Sequence, residues 1–313
     1  MNPPPDGYTV RPATRDDIDA IAALVQAVDR HDDGIVEPVR GHIEDDWANP
    51  LFDAEQDTLL VTQATGDVAA YGTAWGIEPS ASVEAWISIH PDHRDRGLGT
   101  WLVRWAEARS RRYLAGLGTS TLLRPVVSAS GAGGAFLEGL GYRHVRTFWH
   151  MERRLDGRER PGPDPDGVMI RPYRDGDGPA LHRVLESSFE DHFGFEPMPY
   201  DAWEAANLRA PSTELDLVLL AERGGEPVAG LTTAFEEEES WVVELGVLEA
   251  HRGIGIGLAL LWRVFAELAA RGQTIVKLSV DGQNQTGATR LYERVGMRAG
   301  RSWHFYEKRI DAD

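Results

Sequence analysis

The chain of 313 residues contains no cysteine. Disulfides, a thiol nucleophile and thiolate metal ligands are therefore excluded, so any chemistry must use oxygen and nitrogen groups, and a reducing cytoplasm is the expected location. Basic charge is also scarce, with 32 Lys and Arg against 50 Asp and Glu. The net charge of −18 argues against nucleic acid as a partner, because it repels a phosphate backbone. It suits either a cationic ligand or simple solubility.

Long hydrophobic runs are missing as well. The apolar stretch 258–270 is interrupted by Arg263 and Glu267, whereas a membrane-spanning helix needs roughly 18 apolar residues. The start of the chain lacks the regions of a signal peptide and reads as a short flexible tail. The residues that are present, 42% hydrophobic with 10 Trp, are sufficient for a folded core, and the length favours two domains. We expect neither a membrane nor a nucleic-acid partner.

The sequence contains a diverged internal repeat. Residues 156–167 are polar and rich in Pro and Gly, offer little to a core, and are predicted to link an N-terminal domain (8–155) to a C-terminal domain (168–310). In each half a strand, an amphipathic helix, a β-hairpin and a further strand precede a Gly-rich turn and a long helix. The predicted fold class is α/β (α+β), with two tandem domains that each have a mixed, mostly antiparallel sheet flanked by helices.

Two Gly-rich turns carry the clearest chemical signal. Residues 94–99 and 252–257 both fit Arg-x-x-Gly-x-Gly between a strand and a helix. Glycines let the backbone approach a ligand closely, and the unpaired amides at a helix start can bind a pyrophosphate. The alternative is a pair of tight turns that need positive φ. The spacing does not fit the dinucleotide fingerprint or the P-loop, which disfavours a nicotinamide-dependent oxidoreductase.

In this context the chain resembles the GNAT superfamily of acetyltransferases. Residues 89–99 match its acetyl-CoA signature, hydrophobic-x-Pro-x-x-Arg-x-x-Gly-x-Gly, and residues 247–257 match it with Glu249 in place of Pro. Residues 284–297 resemble a second family motif, which runs from Asn through Leu-Tyr to Gly-Phe, with Met297 in place of Phe. Tandem pairs of this kind resemble the mycothiol synthase-like two-domain group, in which the C-terminal domain is the active one.

The resemblance implies an acetyl-CoA-dependent N-acetyltransferase that transfers an acetyl group to a primary amine of a small molecule by direct attack. Acetyl-CoA would be the cosubstrate, and the protein would act as a monomer or homodimer. The histidines show no metal-ligand spacing, so no metal is predicted. The implied cofactor-binding residues are Val247, Arg252, Gly253, Ile254, Gly255, Ile256, Gly257, Leu258 and Asn284 in the C-terminal half, and Ile89, Arg94, Gly97, Gly99 and Thr100 in the N-terminal half.

The resemblance also implies catalytic residues. Tyr292 would be the general acid, since a phenol is protonated at neutral pH and can protonate a departing thiolate; the alternative is an ordinary core tyrosine. The position where the family commonly has a glutamate holds Trp241. We therefore predict Glu244 as the general base, in preference to the acidic run 236–239, because a strand residue is held more firmly than a loop. A strand-surface charge and water-mediated deprotonation remain alternatives for this step.

The N-terminal half lacks both polar groups of the second motif. Ala129 stands opposite Asn284, and Leu137 stands opposite Tyr292. This domain is therefore predicted to be degenerate and catalytically weak or inactive. Residues 189–203 mix aromatic and acidic side chains, which suits either recognition of a cationic acceptor or a loop docked on the core. A non-catalytic acyl-CoA-binding or regulatory protein is the rival function.

Overall fold

The computed structural model describes residues 3–76, 82–113, 120–236, 239–284 and 287–311. The chain forms two compact units, Met1–Phe148 with Ser302–Asp313, and Trp149–Arg301. The elements that begin in the first unit are β1 (Tyr8–Arg11), α1 (Ile18–Asp32), α2 (Arg40–Ala48), α3 (Ala54–Asp57), β2 (Thr58–Gln63), β3 (Val68–Trp75), β4 (Ser82–Ile89), α4 (Leu98–Tyr113), β5 (Ser120–Ser128), α5 (Gly133–Gly139) and β6 (Arg143–Arg154). Those that begin in the second are β7 (Val168–Pro172), α6 (Gly178–Phe189), α7 (Tyr200–Asn207), β8 (Leu219–Arg223), β9 (Glu226–Glu236), β10 (Glu239–Val247), α8 (Ile256–Ala270), β11 (Ile275–Asp281), α9 (Ala288–Arg294) and β12 (Arg298–Asp311).

Each unit contains a mixed, mostly antiparallel sheet with helices packed against it, which confirms the predicted fold class. In the first unit the strand order is β1-β2-β3-β4-β5-β12, and β4 and β5 pair in parallel. In the second unit the order is β7-β8-β9-β10-β11 followed by the end of β6, and β10 and β11 pair in parallel. The helix after the Gly-rich turn, α4 or α8, joins the two parallel strands of its unit.

The last strand of each unit comes from the other half of the sequence. Met151 of β6 is 1% exposed in the core of the second unit, and Ile310 of β12 is 3% exposed in the core of the first. Strand β12 also pairs with β5 from Trp303 to Asp311. The compact units therefore do not coincide with residues 8–155 and 168–310. Strand β6 belongs to the N-terminal half of the sequence but buries Met151 in the second core, whereas β12 belongs to the C-terminal half but buries Ile310 in the first. The division into sequence modules stays a prediction.

The predicted linker is more firmly attached than its polar composition indicates. Glu159 is buried, forms an ion pair with Arg153, and accepts hydrogen bonds from the amides of Asp156 and Gly157. A buried carboxylate needs such partners, because leaving it unpaired would cost several kcal/mol. This segment is therefore attached to the second unit through a buried carboxylate whose charge is satisfied.

Helix α8 forms the centre of the second unit's core. Its residues Leu260, Leu261, Val264, Phe265 and Leu268 have no exposed surface. The spacing of three and four residues places these side chains on one face of the helix. No helix in the described part of the chain is long and apolar enough to span a membrane.

Candidate active site

The second Gly-rich turn joins β10 to α8 in the manner expected from the sequence. Gly253 and Gly255 have φ of 81° and 94°, which a residue with a β-carbon rarely adopts. Gly255 is the N-cap of α8, and its carbonyl accepts from the amide of Ala259. The amides of Ile256, Gly257 and Leu258 therefore precede the first intrahelical hydrogen bond and have no acceptor within the helix. We call residues 252–258 the cradle.

The cradle has the chemistry of an anion site. Three unpaired amides at a helix start, together with the positive end of the helix dipole, favour a phosphate group. A built β-carbon at Gly253 meets no atom within 4 Å, so the backbone is open on that side. The residues present thus fit the diphosphate of coenzyme A, as the sequence predicts, and binding by Ile254 and its neighbours stays a prediction.

The guanidinium of Arg252 is engaged within the protein. Its Nε donates to the carbonyl oxygen of Val247 at 2.9 Å, and one terminal nitrogen donates to that of Ser188 at 3.2 Å. These two bonds tie the cradle to the ends of β10 and α6. The arginine side chain therefore stabilises the shape of the cradle, and its assignment as a cofactor-binding residue stays a prediction.

Strands β10 and β11 part beside the cradle. They pair only from Glu239 to Trp241 on β10, although β10 continues to Val247. The amide of Leu248 donates to the carbonyl of Val228 on the β9 side. Because successive amides of a strand point to opposite sides, the Val247 amide faces away from β9, toward the gap left by β11. This amide is a candidate donor to a carbonyl oxygen.

Helix α9, which carries Tyr292, packs against the start of α8 through the preceding residue, Leu291. A β-carbon built on Gly257 would be 3.1 Å from Leu291 and 3.8 Å from Val247. Tyr292 itself is 9% exposed in the same apolar cluster as Val247, and its hydroxyl is not hydrogen-bonded to any residue that the structure describes. Burial raises the pKa of this phenol to about 12, so it keeps its proton at neutral pH.

Glu244 lies on β10 next to an irregularity in the sheet. The pairing of β10 with β9 shifts register between Val242 and Glu244, as expected for a β-bulge, which re-aims a strand side chain. Its Oε2 accepts from the indole Nε1 of Trp203 at 3.0 Å. Burial raises the pKa of the Glu244 carboxyl to about 7; the indole bond opposes this effect, and the charge of Glu186 adds to it. Such a carboxyl is suited to a general base at neutral pH.

Trp241 has a structural role. It is 8% exposed, its ring meets that of His150 edge to face at 4.9 Å, and the ammonium of Lys277 lies 5.8 Å from its centroid. An aromatic side chain at this position fills the core where β10 and β11 still pair. Strand β10 carries two carboxylates, and because Glu239 forms an ion pair with Lys277, Glu244 remains the candidate base.

The segment after α6 lies beside the candidate base and the cradle. Residues 189–203 include Trp203, which bonds Glu244, and His192, whose pKa is lowered by burial and by the nearby charge of Arg252. The sequence suited this segment either to acceptor recognition or to docking on the core, and it contained no signal that Trp203 would form a hydrogen bond with a residue of β10. Asn284 follows β11, and its amide donates to the Asp281 carbonyl. Residues 285 and 286, which lead from Asn284 to α9, lie outside the described part of the chain.

The first unit has a second cradle at residues 94–100. Asp95 and Gly97 have φ of 59° and 84°, matching Gly253 and Gly255, and Asp95 is the one non-glycine residue with positive φ in the described part of the chain. Gly99 repeats the tight contact, since its β-carbon would lie 3.1 Å from Phe136 and 3.5 Å from Ile89. Arg94 forms a bidentate ion pair with Asp32. The amides of Leu98, Gly99 and Thr100 precede the first intrahelical bond, from Trp101 to Gly97.

The first unit lacks the groups that accompany the cradle in the second. Leu137 is buried where the second unit has Tyr292. The pairing register places Trp86 opposite Thr73, three pairs from the Ile89–Ala70 pair, just as Glu244 lies opposite Thr232, three pairs from Val247–Ala229. The first unit therefore has an indole at the position of the candidate base.

Comparison with known proteins agrees with this arrangement. The model of the acetyltransferase (GNAT) family matches residues 25–133 and 179–297. A mycothiol acetyltransferase from Thermomonospora curvata is 30% identical over 288 residues, covering 89% of each chain. A second mycothiol acetyltransferase, from Salinispora arenicola, is 30% identical over 250 residues, covering 76% of this chain and 77% of that protein.

Solved structures show the same fold over nearly the whole length. A GCN5-related N-acetyltransferase from Sphaerobacter thermophilus superposes with a TM-score of 0.82 and 30% identity, covering 98% of this chain and 97% of that one. A tandem GNAT protein from the clavulanic acid biosynthesis pathway gives a TM-score of 0.73 at 14% identity, covering 98% and 99%. With two matched segments, two cradles and these relatives, the chain belongs to the acetyltransferase (GNAT) family and is an N-acetyltransferase with two tandem GNAT domains.

Proposed function

We propose that the second unit transfers the acetyl group of acetyl-CoA to a primary amine of a small molecule by direct attack. The observation that carries the proposal is that this unit combines the cradle with a hydrogen-bonded carboxylate on β10 and a buried phenol on α9, two groups that differ widely in acidity. Glu244 has a carboxyl pKa raised to about 7, whereas Tyr292 has a phenol pKa raised to about 12. Such a pair provides a carboxyl group that exchanges its proton at neutral pH and a phenol that retains its proton.

The residues divide the work of the reaction. Acetyl-CoA supplies an acetyl group activated as a thioester. The cradle amides hold the diphosphate, and the Val247 amide donates to the carbonyl oxygen, where negative charge develops. Glu244 removes a proton from the acceptor's ammonium so that the nitrogen lone pair can attack. No covalent intermediate with the enzyme is required.

Tyr292 completes the step at the sulfur. Its hydroxyl donates its proton to the departing thiolate as the carbon–sulfur bond breaks, and the second proton, which the nitrogen still carries after its attack, passes to the phenolate and restores the phenol. A phenol of high pKa is a weak acid, but a thiol in the same apolar surroundings also has a raised pKa, since burial disfavours its charged form. The two proton affinities therefore come closer together than they are in water.

The first unit supports a different role. It has a cradle with free helix amides, but Leu137 and Trp86 replace the acid and the base. This combination favours binding of acyl-CoA without transfer, and it assigns turnover to the second unit. Acceptor identity is a separate question, for which the relatives named mycothiol acetyltransferase make the mycothiol precursor the first amine to test.

The proposal is tested with a panel of amines and acetyl-CoA, read as release of free thiol. We expect at least one amine to be acetylated, and Tyr292→Phe to lower turnover roughly 10²-fold while calorimetry still detects acetyl-CoA binding. Tyr142→Phe, which alters a buried tyrosine of the first unit, is the matched control and should retain turnover. Full turnover by Tyr292→Phe would remove the tyrosine from its role.

A further inference from the structure

The environment of Glu244 is built by two helices that were not part of any sequence motif. Trp203, on α7, is 3% exposed and packs in a cluster of three rings, with His182 at 5.1 Å and Tyr200 at 6.2 Å between centroids. Its indole Nε1 therefore has a fixed direction, and that direction ends at Oε2 of Glu244, 3.0 Å away. A buried indole N–H with a single carboxylate oxygen as acceptor orients the carboxylate.

A second carboxylate acts on Glu244 from α6. Glu186 accepts a hydrogen bond from the amide of Met198 at 3.0 Å, and its Oε1 lies 3.6 Å from His182 Nε2. The same His182 ring packs against Trp203 at 5.1 Å, so Glu186 belongs to the cluster that surrounds the indole donor, and its negative charge makes ionisation of Glu244 less favourable. On β9, the cross-strand partner of Glu244 is the uncharged Thr232. Among the described residues, Glu186 and Trp203 are the groups whose charge or hydrogen bond tunes Glu244.

Resting on the proposed function, we infer that Trp203 and Glu186 are positioning residues for the base: the indole holds Oε2 so that Oε1 faces the acceptor's amine, and Glu186 supplies a negative charge from the cluster around the indole. The two residues act on the same carboxyl group with opposite sign. A donor to the ionised form favours ionisation, and a neighbouring negative charge opposes it. Neither residue needs to contact the acceptor for this effect.

The first unit provides an internal contrast. There the indole of Trp86 donates to Glu84 at 2.8 Å, but Trp86 itself occupies the register position of Glu244. The donor and the carboxylate thus lie on the same strand. In the second unit the donor comes from a separate helix, which leaves the strand position to the carboxylate.

The experiment compares Trp203→Phe, Glu186→Gln and wild type by two measurements. The first is the pH dependence of kcat/KM for an amine found in the panel. The second needs no turnover and follows the ¹³C carboxyl signal of Glu244 during a pH titration of the free protein, assigned with Glu244→Gln. Phenylalanine removes the donor and keeps an apolar ring, and glutamine removes the charge while retaining an oxygen acceptor for the Met198 amide.

We expect opposite displacements. Trp203→Phe should move the titration midpoint of Glu244, and the acidic limb of the rate profile, upward by about one pH unit, whereas Glu186→Gln should move both downward by up to about one unit. Trp47→Phe, a buried tryptophan of the first unit, is the control for loss of an indole and should leave the midpoint in place. If Trp203→Phe does not fold, a downward displacement of the Glu244 midpoint in Glu186→Gln still tests whether a neighbouring residue tunes this carboxyl.

Two outcomes separate this inference from the proposed function. An unchanged Glu244 midpoint in Glu186→Gln, or displacement of both variants in one direction, would overturn the positioning roles. If the midpoints move oppositely while Glu244→Gln retains full turnover, the tuning of the carboxyl stands and the assignment of Glu244 as the base fails.

Discussion

Gly257 and Leu291 approach each other so closely that a β-carbon on the glycine would lie 3.1 Å from the leucine Cδ2. Gly257 is in the first turn of α8, which carries the cradle, and Leu291 directly precedes Tyr292 on α9. Helix α9 therefore rests against the start of α8 at this point. The contact fixes the spacing between the site proposed for the diphosphate and the hydroxyl proposed to meet the sulfur.

Replacing Gly257 by alanine should disturb that spacing. The new methyl group must displace Leu291 by a few tenths of an ångström, and we expect turnover to fall about tenfold with a loss of about 1 kcal/mol in stability. Gly99→Ala introduces the same contact, 3.1 Å from Phe136, in the first unit. It should lower stability by a similar amount with a smaller effect on turnover. Equal losses of turnover would contradict the assignment of chemistry to the second unit.

Turnover should depend on the ionisation of Glu244. Because its pKa is raised to about 7, the deprotonated fraction grows as the pH rises, and kcat/KM should increase through pH 7 before reaching a plateau. Glu244→Gln should lower kcat/KM by roughly 10² to 10⁴ and abolish this acidic limb. A mutant that retains the limb at the same pH would show that another group is being titrated.

The same raised pKa should destabilise the protein at high pH. Between about pH 4.5 and pH 7 the folded state retains a proton that the unfolded state has released, so the contribution of Glu244 to stability falls as the pH rises. Allowing for partial exposure of the side chain, the loss above pH 7 is about 2 kcal/mol. Glu244→Gln should therefore be more stable than wild type at pH 8, by urea unfolding, and about equal near pH 4.5. Reduced stability at pH 8 would contradict this.

Arg252 should act through the shape of the cradle. Its guanidinium bonds the Val247 and Ser188 carbonyls, so Arg252→Ala should raise the KM for acetyl-CoA several-fold through a loosened turn. The ratio of mutant to wild-type KM should stay nearly constant from low to high salt, whereas loss of a direct phosphate contact would make it salt-dependent. Asp32→Asn weakens the corresponding tie of Arg94 in the first unit and should affect stability more than this KM.

The local part of the site followed from the sequence. The strand, Gly-rich turn and helix at 247–258 were predicted and are present, because positive φ at glycine and the start of an amphipathic helix depend on neighbouring residues. The bulge beside Glu244 and the direction of the Arg252 side chain were not fixed by the motif. They depend on β9 and α6, which are distant in sequence.

What the sequence determined by itself was the repeat, the two cradles, and the absence of the acid from the first copy, since each is a property of residue order. Only the tertiary structure decided in which core Met151 and Ile310 are buried. It also decided that the indole of Trp203, 41 residues away in sequence, donates a hydrogen bond to Glu244. Burial and long-range hydrogen bonds arise only when distant segments pack together. For that reason neither the exchanged strands nor the basicity of Glu244 could be inferred from local patterns.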